Sequence, residues 1–323
     1  MLGLAGCSGD YSMLAPSGPA ARDIAWIWWG MLGFFTLVFV VVVGLWLAAF
    51  RRREPRERSE GEVRRLSRRW IIGGGLLLPG VTILILLVFG VPVGQRMLTL
   101  PLPGGEEPQV IEVIGHQWWW EVRYPDTGDG EVITANQLVM PAGEPVDFHV
   151  SAGDVIHAFW IPRLGGKIDM LPGRVNRIRL QADEPGVFGG QCVEFCGTQH
   201  AHMKLYVEAM PPADFDTWLS ARQAPTDVGE GEQHQAAREA FNEHCARCHR
   251  VAGVSQATVG PDLSDIGSRA TLGAGVLAME DGAIARWLVA HQRLKPGNLM
   301  PVHDHLDAET LEGLGSWLET LTP

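Results

Sequence analysis

Cysteine is scarce in this chain, which has five in 323 residues. Four of them form two close pairs, Cys192 with Cys196 and Cys245 with Cys248, and the fifth is Cys7. A zinc site at the second pair would need another pair of Cys or His ligands at matching spacing, and the sequence has no further cysteine to supply it. The second pair is therefore poorly explained as a zinc site or as a dithiol redox motif.

Charge is absent from two long stretches of the N-terminal third. Residues 24–50 and 70–93 contain no Asp, Glu, Lys or Arg, and both are long enough to cross about 30 Å of membrane hydrocarbon. The chain is 46% apolar with a mean hydropathy of +0.05, which is high for a wholly soluble protein. A buried core helix is the alternative, but soluble helices seldom run so long without a polar face. We expect two membrane-spanning helices.

Arginine is concentrated in residues 51–69, between the two apolar stretches. A short loop rich in arginine stays in the cytoplasm by the positive-inside rule, so both ends of the chain are expected outside, in the periplasm or its equivalent. Residues 1–100 hold 11 Lys and Arg against 6 Asp and Glu, whereas residues 101–323 hold 15 against 31, so the net charges are +5 and −16. The acidic outer part would attract a basic protein partner and argues against nucleic acid as a partner.

The segment Cys192-Val-Glu-Phe-Cys196-Gly-Thr-Gln-His200-Ala-His-Met203 combines two thiols, an imidazole and a thioether. This soft set of ligands suits copper and serves magnesium or calcium poorly. Two cysteines four residues apart in a tight loop can each place a sulfur between two copper ions, so that an added electron is shared and little has to move. A Cys192–Cys196 disulfide is the alternative in an oxidising compartment, but a disulfide has no use for the His and the Met.

The other ligands of a two-copper site are expected from nearby residues. His200 would cap one copper, and His157 in Asp154-Val-Ile-His157 would offer the second imidazole. The Met203 thioether and the backbone carbonyl of Glu194 are left as weak axial ligands, which tune a copper centre's potential. The sequence thus predicts a dinuclear copper centre for electron transfer.

This motif, with Gly115-His-Gln-Trp118-Trp-Trp120 and residues 161–174, resembles subunit II of the haem-copper cytochrome c oxidases and its dinuclear CuA site. The resemblance implies a cupredoxin-like β-barrel whose copper loops face subunit I. It implies that electrons pass through Trp118 and Trp120, entering near Trp118, and that the Glu194 carboxylate reaches a magnesium ion at the subunit I boundary. An aromatic core strand is the alternative for the tryptophans. For Trp119 the sequence favours neither the functional interpretation nor core packing.

One absence departs from that resemblance. Many relatives have a glutamate near the cytoplasmic start of the second membrane helix, at the mouth of a proton channel, whereas no acidic residue lies between Glu62 and Glu106 here. Proton uptake would then involve Glu62, another subunit or a different route.

The second cysteine pair belongs to Cys245-Ala-Arg-Cys248-His249, the attachment signature of c-type haem. Both thiols would form thioethers to the porphyrin, and His249 must follow at once because the same turn carries it beneath the iron. Met300 is the expected sixth ligand, since it lies in a loop before the final helix and a thioether opposite His raises the haem potential. Core packing is the alternative for Met300, and its competitors as ligand are Met279, His303 and His305.

Residues 232–322 resemble the small class I cytochromes c, with Gly260-Pro261-Asp-Leu263 as the proline loop that braces His249. The whole chain resembles an oxidase subunit II that carries a fused cytochrome c, as in the caa-type bacterial oxidases. The fold class is therefore a multi-domain membrane protein with a helical hairpin, a cupredoxin-like β-barrel and an all-α cytochrome c domain. The predicted ranges are an N-terminal segment (1–22), a transmembrane hairpin (23–98), a copper domain (106–220), a linker (221–231) and a haem domain (232–323).

The implied function is electron input to a respiratory oxidase. Electrons would pass from haem c to CuA and on to the haem-copper subunit, where oxygen is reduced to water, with a cytochrome c or a quinol-oxidising complex as the donor. Two alternatives stay open: an electron-input subunit of a nitric or nitrous oxide reductase, in which the CuA loop recurs, and a membrane-tethered shuttle without a catalytic partner. The expected place is the bacterial inner membrane, with the copper and haem domains on the periplasmic side.

The N-terminus suggests a lipid anchor. Leu4-Ala-Gly-Cys7 resembles the lipobox of bacterial lipoproteins, in which the cysteine is lipidated. Only three residues precede the box, too few for a signal peptide, so either the true start lies upstream or the match is accidental. We favour lipidation of Cys7, which would otherwise be an odd free thiol in an oxidising compartment.

Overall fold

The computed structural model describes residues 8–51, 58–105, 107–125, 130–224, 228 and 231–323. Cys7 and residues 52–57 of the arginine-rich loop lie outside these ranges, so lipidation of Cys7 stays a prediction. The described residues divide into two compact units. One is the helical segment Arg22–Arg96, and the other comprises the remaining described residues.

The helical unit contains both predicted membrane segments. Helix α1 spans Pro19–Arg51, and a second helical stretch of 37 residues runs from Glu60 to Arg96. Mean hydropathy reaches 2.5 and 2.6 in these stretches, and none of the most apolar residues is buried. At about 1.5 Å per residue both are longer than the hydrocarbon is thick. Apolar side chains exposed on all sides fit lipid surroundings.

The second stretch is longer than the predicted segment 70–93. Its parts are α2 (Glu60–Trp70), a π-helical part (Ile71–Leu77) and α3 (Leu78–Arg96). Ser59 begins α2 with a capping box: its hydroxyl accepts from the Glu62 amide, and the Glu62 carboxylate accepts from the Ser59 amide. An ion pair of 2.6 Å between Asp23 and Arg96 joins the two ends of the hairpin.

Two five-stranded sheets follow, in the orders β3-β2-β1-β5-β8 and β4-β10-β9-β6-β7. Alternation of apolar and polar residues explains the strands; in β1, for example, Ile111 and Val113 are buried while their neighbours are half-buried. The sheets enclose one hydrophobic core, which confirms the predicted cupredoxin-like fold. The strands are β1 Gln109–His116, β2 Trp119–Tyr124, β3 Val132–Ala135, β4 Gln137–Pro141, β5 Val146–Ala152, β6 His157–Trp160, β7 Ile168–Met170, β8 Asn176–Leu180, β9 Gly186–Cys192 and β10 Lys204–Met210.

The C-terminal part is mainly helical. Phe241 and Trp317 are fully buried at its centre, with ring centroids 5.2 Å apart in an edge-to-face contact. The final helix, α7 (Ala308–Glu319), buries Leu311, Leu314 and Leu318 on one face, and Leu321 is buried just beyond its end. The elements are α5 Gln235–His244, β11 Arg250–Val251, β12 Ser255–Gln256, β13 Thr271–Leu272, β14 Leu277–Ala278, α6 Ala283–Leu294 and α7 Ala308–Glu319.

Helix α4, Pro212–Gln223, leads out of the β domain. It therefore extends into the range predicted as linker, 221–231. The cation of Arg222 lies over the Trp218 ring at 4.2 Å, which together with hydrogen bonding keeps this end of the helix ordered. The change from folded domain to linker consequently falls after Gln223.

Candidate functional site

The predicted copper ligands lie together at one end of the β domain. The ligand atoms of His157, Cys192 and Cys196 are all within 4.8 Å of one another, and all three residues are buried. Cys192 Sγ lies 3.8 Å from Cys196 Sγ and 3.8 Å from His157 Nδ1. His200 Nδ1 and Met203 Sδ lie 3.5 and 3.9 Å from Cys196 Sγ. Both cysteines are free thiols, because their sulfur atoms lie much farther apart than the bonding distance of about 2.05 Å in a disulfide.

Strand pairing brings these residues together from distant parts of the sequence. Strand β9 ends at Cys192 and β10 begins at Lys204, and the Cys192 amide donates to the Met203 carbonyl at 3.1 Å to close the loop between them. Strand β6 pairs with β9 so that Phe159 faces Cys192, which carries His157 to the same end. Gly115 leaves room for the imidazole, because a Cβ there would lie 2.9 Å from His157 Cγ.

Asp154 orients the His157 ring, a role that the sequence analysis did not assign. Its Oδ1 lies 2.8 Å from His157 Nε2, which leaves Nδ1 facing Cys192. Partial burial would raise the pKa of Asp154, but hydrogen bonds from His157 and from the amides of Gln117 and Val155 outweigh burial and lower it. A carboxylate behind a ligating imidazole fixes the ring and its tautomer. The position of Asp154, three residues before His157, was the sequence signal that could have indicated this role.

The two thiols have very different acidities. Hydrogen bonds with Cys196 and His157 lower the pKa of Cys192. The hydrogen bond with Cys192, together with burial and the charge on that sulfur, raises the pKa of Cys196. The site thus places two thiols of unequal acidity beside an imidazole, a thioether and the Glu194 carbonyl, which is 3.2 Å from Cys192 Sγ. Sulfur and imidazole donors in a buried cluster fit copper.

The Glu194 carboxylate is separate from this cluster. It is partly exposed and lies 3.8 Å from the ammonium of Lys167, which also contacts Asp169 at 2.6 Å. The side chain is therefore accessible at the surface while its backbone carbonyl faces the thiols. A magnesium site at this carboxylate stays a prediction.

The three tryptophans of residues 118–120 have different surroundings. Trp118 is 8% exposed, and its indole Nε1 donates to the Cys196 carbonyl at 3.0 Å. Trp119 is half-buried and stacks on His116 with ring centroids 4.4 Å apart, so it is not a core residue. Trp120 is fully buried and packs edge to face with Phe159 in the sheet core, as the core interpretation expected.

The haem-attachment motif lines a cavity of about 250 Å³ in the C-terminal part. Cys245 and Cys248 are half-buried free thiols on one turn, in which the amides of Cys248 and His249 both donate to the Cys245 carbonyl. Burial raises the pKa of Cys245 to about 11, so this thiol is neutral. The cavity is mostly apolar, as a porphyrin requires.

The proline loop holds His249 as the resemblance implied. The Pro261 carbonyl accepts from His249 Nδ1 at 2.8 Å, which leaves Nε2 as the ligating nitrogen. Gly260 packs against the ring so closely that a Cβ would lie 2.7 Å from Cε1. Burial lowers the pKa of His249, which favours the neutral imidazole that a metal binds.

Met300 lines the same cavity as His249. Its amide donates to the side chain of Asn298 at 3.0 Å, and its carbonyl accepts from Gln292 at 2.9 Å, so the loop is held on both sides. Met279 and Met300 both pack against the hydrophobic core, but of these two only Met300 lines the cavity. The His305 ring meets His244 edge to face with centroids 5.2 Å apart, and the His303 ring lies tilted against His291 with centroids 5.9 Å apart.

The β domain supplies part of the wall of this cavity. Gln117, Trp118, Trp119 and Asn136 line it together with the haem-attachment motif. Trp118 therefore contacts both predicted cofactor sites: it borders the cavity, and its indole is hydrogen bonded to the backbone of Cys196.

Comparison with known proteins finds relatives of both domains. Residues 130–210 match the family described as cytochrome c oxidase subunit II, periplasmic domain, and residues 235–322 match the cytochrome c family. Cytochrome c oxidase subunit 2 of Alkalihalophilus pseudofirmus is 34% identical over 98% of this chain and 93% of its own length. The subunit 2 of Bacillus sp. PS3 is 36% identical over 66% of this chain and 62% of its own length.

One similar solved structure is the periplasmic domain of subunit II of cytochrome oxidase from Bradyrhizobium japonicum. It is 32% identical and covers 36% of this chain and 95% of its own length, with a TM-score of 0.35.

Proposed function

This chain belongs to the cytochrome c oxidase subunit II family, and from that premise we propose that it takes electrons at a covalently bound haem c and passes them to a dinuclear CuA centre. From there they would reach the catalytic subunit that reduces oxygen to water. The oxidase electron-input role follows from relatives that share a subunit II domain and a cytochrome c domain. The haem-to-copper route is the proposal.

The observation that carries this proposal is the shared cavity. Its walls include Cys245, His249 and Met300 from one domain and Trp118 from the other. Trp118 also donates directly to the backbone carbonyl of Cys196. A haem seated in this cavity would lie against an aromatic ring bonded to the copper loop, which is a short path for an electron.

The copper ligands would be the thiolates of Cys192 and Cys196, the imidazoles of His157 and His200, and weakly Met203 and the Glu194 carbonyl. Bound copper supplies a one-electron carrier that gains and loses charge with little rearrangement. The chain keeps that rearrangement small, because Asp154 holds one imidazole and the closed loop after β9 holds the sulfurs. We assign this domain to residues 106–223, which extends the predicted range of 106–220 to the end of α4.

The haem would be held by Cys245, Cys248, His249 and Met300 in a domain that we assign to residues 232–323. Cys245 and Cys248 would hold the porphyrin through thioether bonds, and His249 and Met300 would offer ligands to its iron. Pro261 fixes the proximal imidazole, and Asn298 and Gln292 fix the Met300 loop. The apolar walls exclude water and favour a high haem potential.

We further propose the setting of the chain. The helical hairpin would lie in a bacterial cell membrane, with the copper and haem domains on the periplasmic side and lipid around α1 and α3. Subunit I would bind at the copper end, where the Glu194 carboxylate is accessible for magnesium. The donor would be a cytochrome c or a quinol-oxidising complex attracted by the acidic outer part.

Photoreduction of the purified full-length protein tests the route. A flash-activated reductant should reduce haem c first, and the copper absorption should then change at the rate at which the haem is reoxidised. Reduction of copper before haem, or reduced haem that does not lose its electron to copper, would contradict the proposal.

A further inference from the structure

Lys295 is a buried cation between the copper domain and the haem domain. It follows α6 and precedes the Met300 loop, and it is 3% exposed. Its ammonium donates to the carbonyls of Trp118 at 2.7 Å and His202 at 2.9 Å in the copper domain, and to Gly273 at 2.7 Å in its own domain. All three hydrogens of the ammonium are thus used.

A second buried polar contact joins the same two domains. Asp265 of the haem domain accepts from Thr134 at 2.9 Å and lies 3.4 Å from Arg222 at the end of α4. Within its own domain Asp265 also pairs with Arg269. Two charged groups of the haem domain are therefore satisfied by residues of the copper domain.

Backbone amides at the boundary complete the contact. The Lys204 amide donates to the Ala274 carbonyl at 3.1 Å, and the Ala270 amide donates to the Gln137 side chain at 3.0 Å. Gln199, next to the copper ligand His200, donates to the Pro296 carbonyl. These hydrogen bonds require a single orientation of the two domains.

The energetics of a buried ammonium make Lys295 the most selective of these contacts. Burial lowers the pKa of Lys295 to about 7, because removing a cation from water is costly. That cost is offset when all three acceptors are in place, and any other pose that buries this side chain leaves the ammonium or the carbonyls without partners. A tether alone raises the local concentration of the haem domain but selects no pose.

We propose that Lys295 is a positioning residue that fixes the haem domain on the copper domain and so holds the haem crevice against Trp118. This inference rests on the haem-to-copper route proposed above and adds that the route operates in one docked state. The haem domain of the resting protein does not swing between a donor and the copper domain.

The test compares Lys295→Met with Arg293→Met in the full-length protein. Methionine keeps the length of the side chain and removes the charge, and Arg293 is an exposed cation two residues earlier, so the control loses the same charge. Hydrogen exchange is measured at the amides of Lys204 and Ala270. Both should exchange about tenfold faster or more in Lys295→Met, equivalent to about 1.4 kcal/mol of docking free energy, and should not change in Arg293→Met.

Photoreduction supplies the second readout. Haem-to-copper transfer should be insensitive to salt in the unaltered protein and in Arg293→Met. In Lys295→Met it should become slower and salt-dependent between about 0.02 and 0.5 M, because the domains must then find each other. The near-infrared band of the Met300–iron bond reports that the haem domain is folded; if this band is lost, Lys295→Gln, which keeps a neutral donor, takes the place of Lys295→Met.

Unchanged exchange and salt-independent transfer in the Lys295 variant would overturn the positioning role and leave the route intact. Salt-dependent transfer in the unaltered protein would also overturn it. Absence of haem-to-copper transfer in the unaltered protein would instead contradict the proposed function itself.

Discussion

Replacing Asp154 by Asn should weaken copper binding without changing the haem. The Asp154 carboxylate accepts from His157 Nε2 at 2.8 Å and from the amides of Gln117 and Val155 at 2.6 Å each. An amide in its place keeps one carbonyl oxygen but loses the negative charge. That charge holds the proton on His157 Nε2 and so leaves Nδ1 as the acceptor that faces Cys192. Residues behind metal ligands typically contribute 10- to 100-fold in affinity, so we expect a loss of about 1.4–2.7 kcal/mol.

Competition between the full-length protein and a copper chelator measures this loss through the thiolate-to-copper absorption. Asp169→Asn is the control, because that carboxylate is exposed, contacts Lys167 and belongs to the same domain. The Asp154 variant should need about 10- to 100-fold less chelator to lose half its copper, whereas the control should match the unaltered protein. Equal copper affinity in both variants would refute the role of Asp154 in holding His157.

Three further predictions follow from the two sites. Cys192→Ser or Cys196→Ser should abolish the electron paramagnetic resonance signal of an electron shared by two coppers while haem c stays attached; an unchanged signal in either variant would contradict the bridging role. Met300→Leu should keep the covalent haem but let carbon monoxide bind the iron, and a retained sulfur-to-iron near-infrared band would point to Met279 instead. Asp265→Asn should lower stability by about 3–5 kcal/mol at neutral pH, since it breaks a buried ion pair. Burial would raise the pKa of Asp265, but its guanidinium partners lower it. The folded protein therefore binds a proton at Asp265 less readily than the unfolded chain does. The stabilisation from Asp265 is present above about pH 4 and is lost as the pH falls through the lowered pKa. The difference in melting temperature between the unaltered protein and Asp265→Asn should therefore be constant from about pH 5 to 8 and shrink below about pH 4, and a constant difference down to about pH 2 would refute the assignment.

The haem-attachment turn was predictable because its chemistry is local. Cys245, Cys248 and His249 lie within one turn, so their spacing in the sequence is already their arrangement in space. The sulfur loop was predictable for the same reason, as Cys192 and Cys196 lie four residues apart. The two membrane segments were predictable because the absence of charge over such a length is visible in the sequence itself and does not depend on tertiary contacts.

The contacts between the domains were not predictable from the sequence. The ammonium of Lys295 meets the carbonyl of Trp118 across 177 positions, and backbone carbonyls leave no trace in the amino-acid pattern. Asp265 similarly meets Thr134 across 131 positions. The boundary of the linker was placed too early because the polar residues at the end of α4 resemble loop residues, although tertiary contacts of Arg222 keep them helical.

The position of Trp118 in the wall of the haem cavity has a consequence for donors in solution. The surface through which a free cytochrome would approach the copper loop is already occupied by a domain of the same chain. Such a cytochrome would deliver its electrons through haem c and not directly to copper, because the docked domain covers the surface next to the copper loop. Direct transfer from an added cytochrome to copper, bypassing haem c, should therefore be negligible while the haem domain is docked.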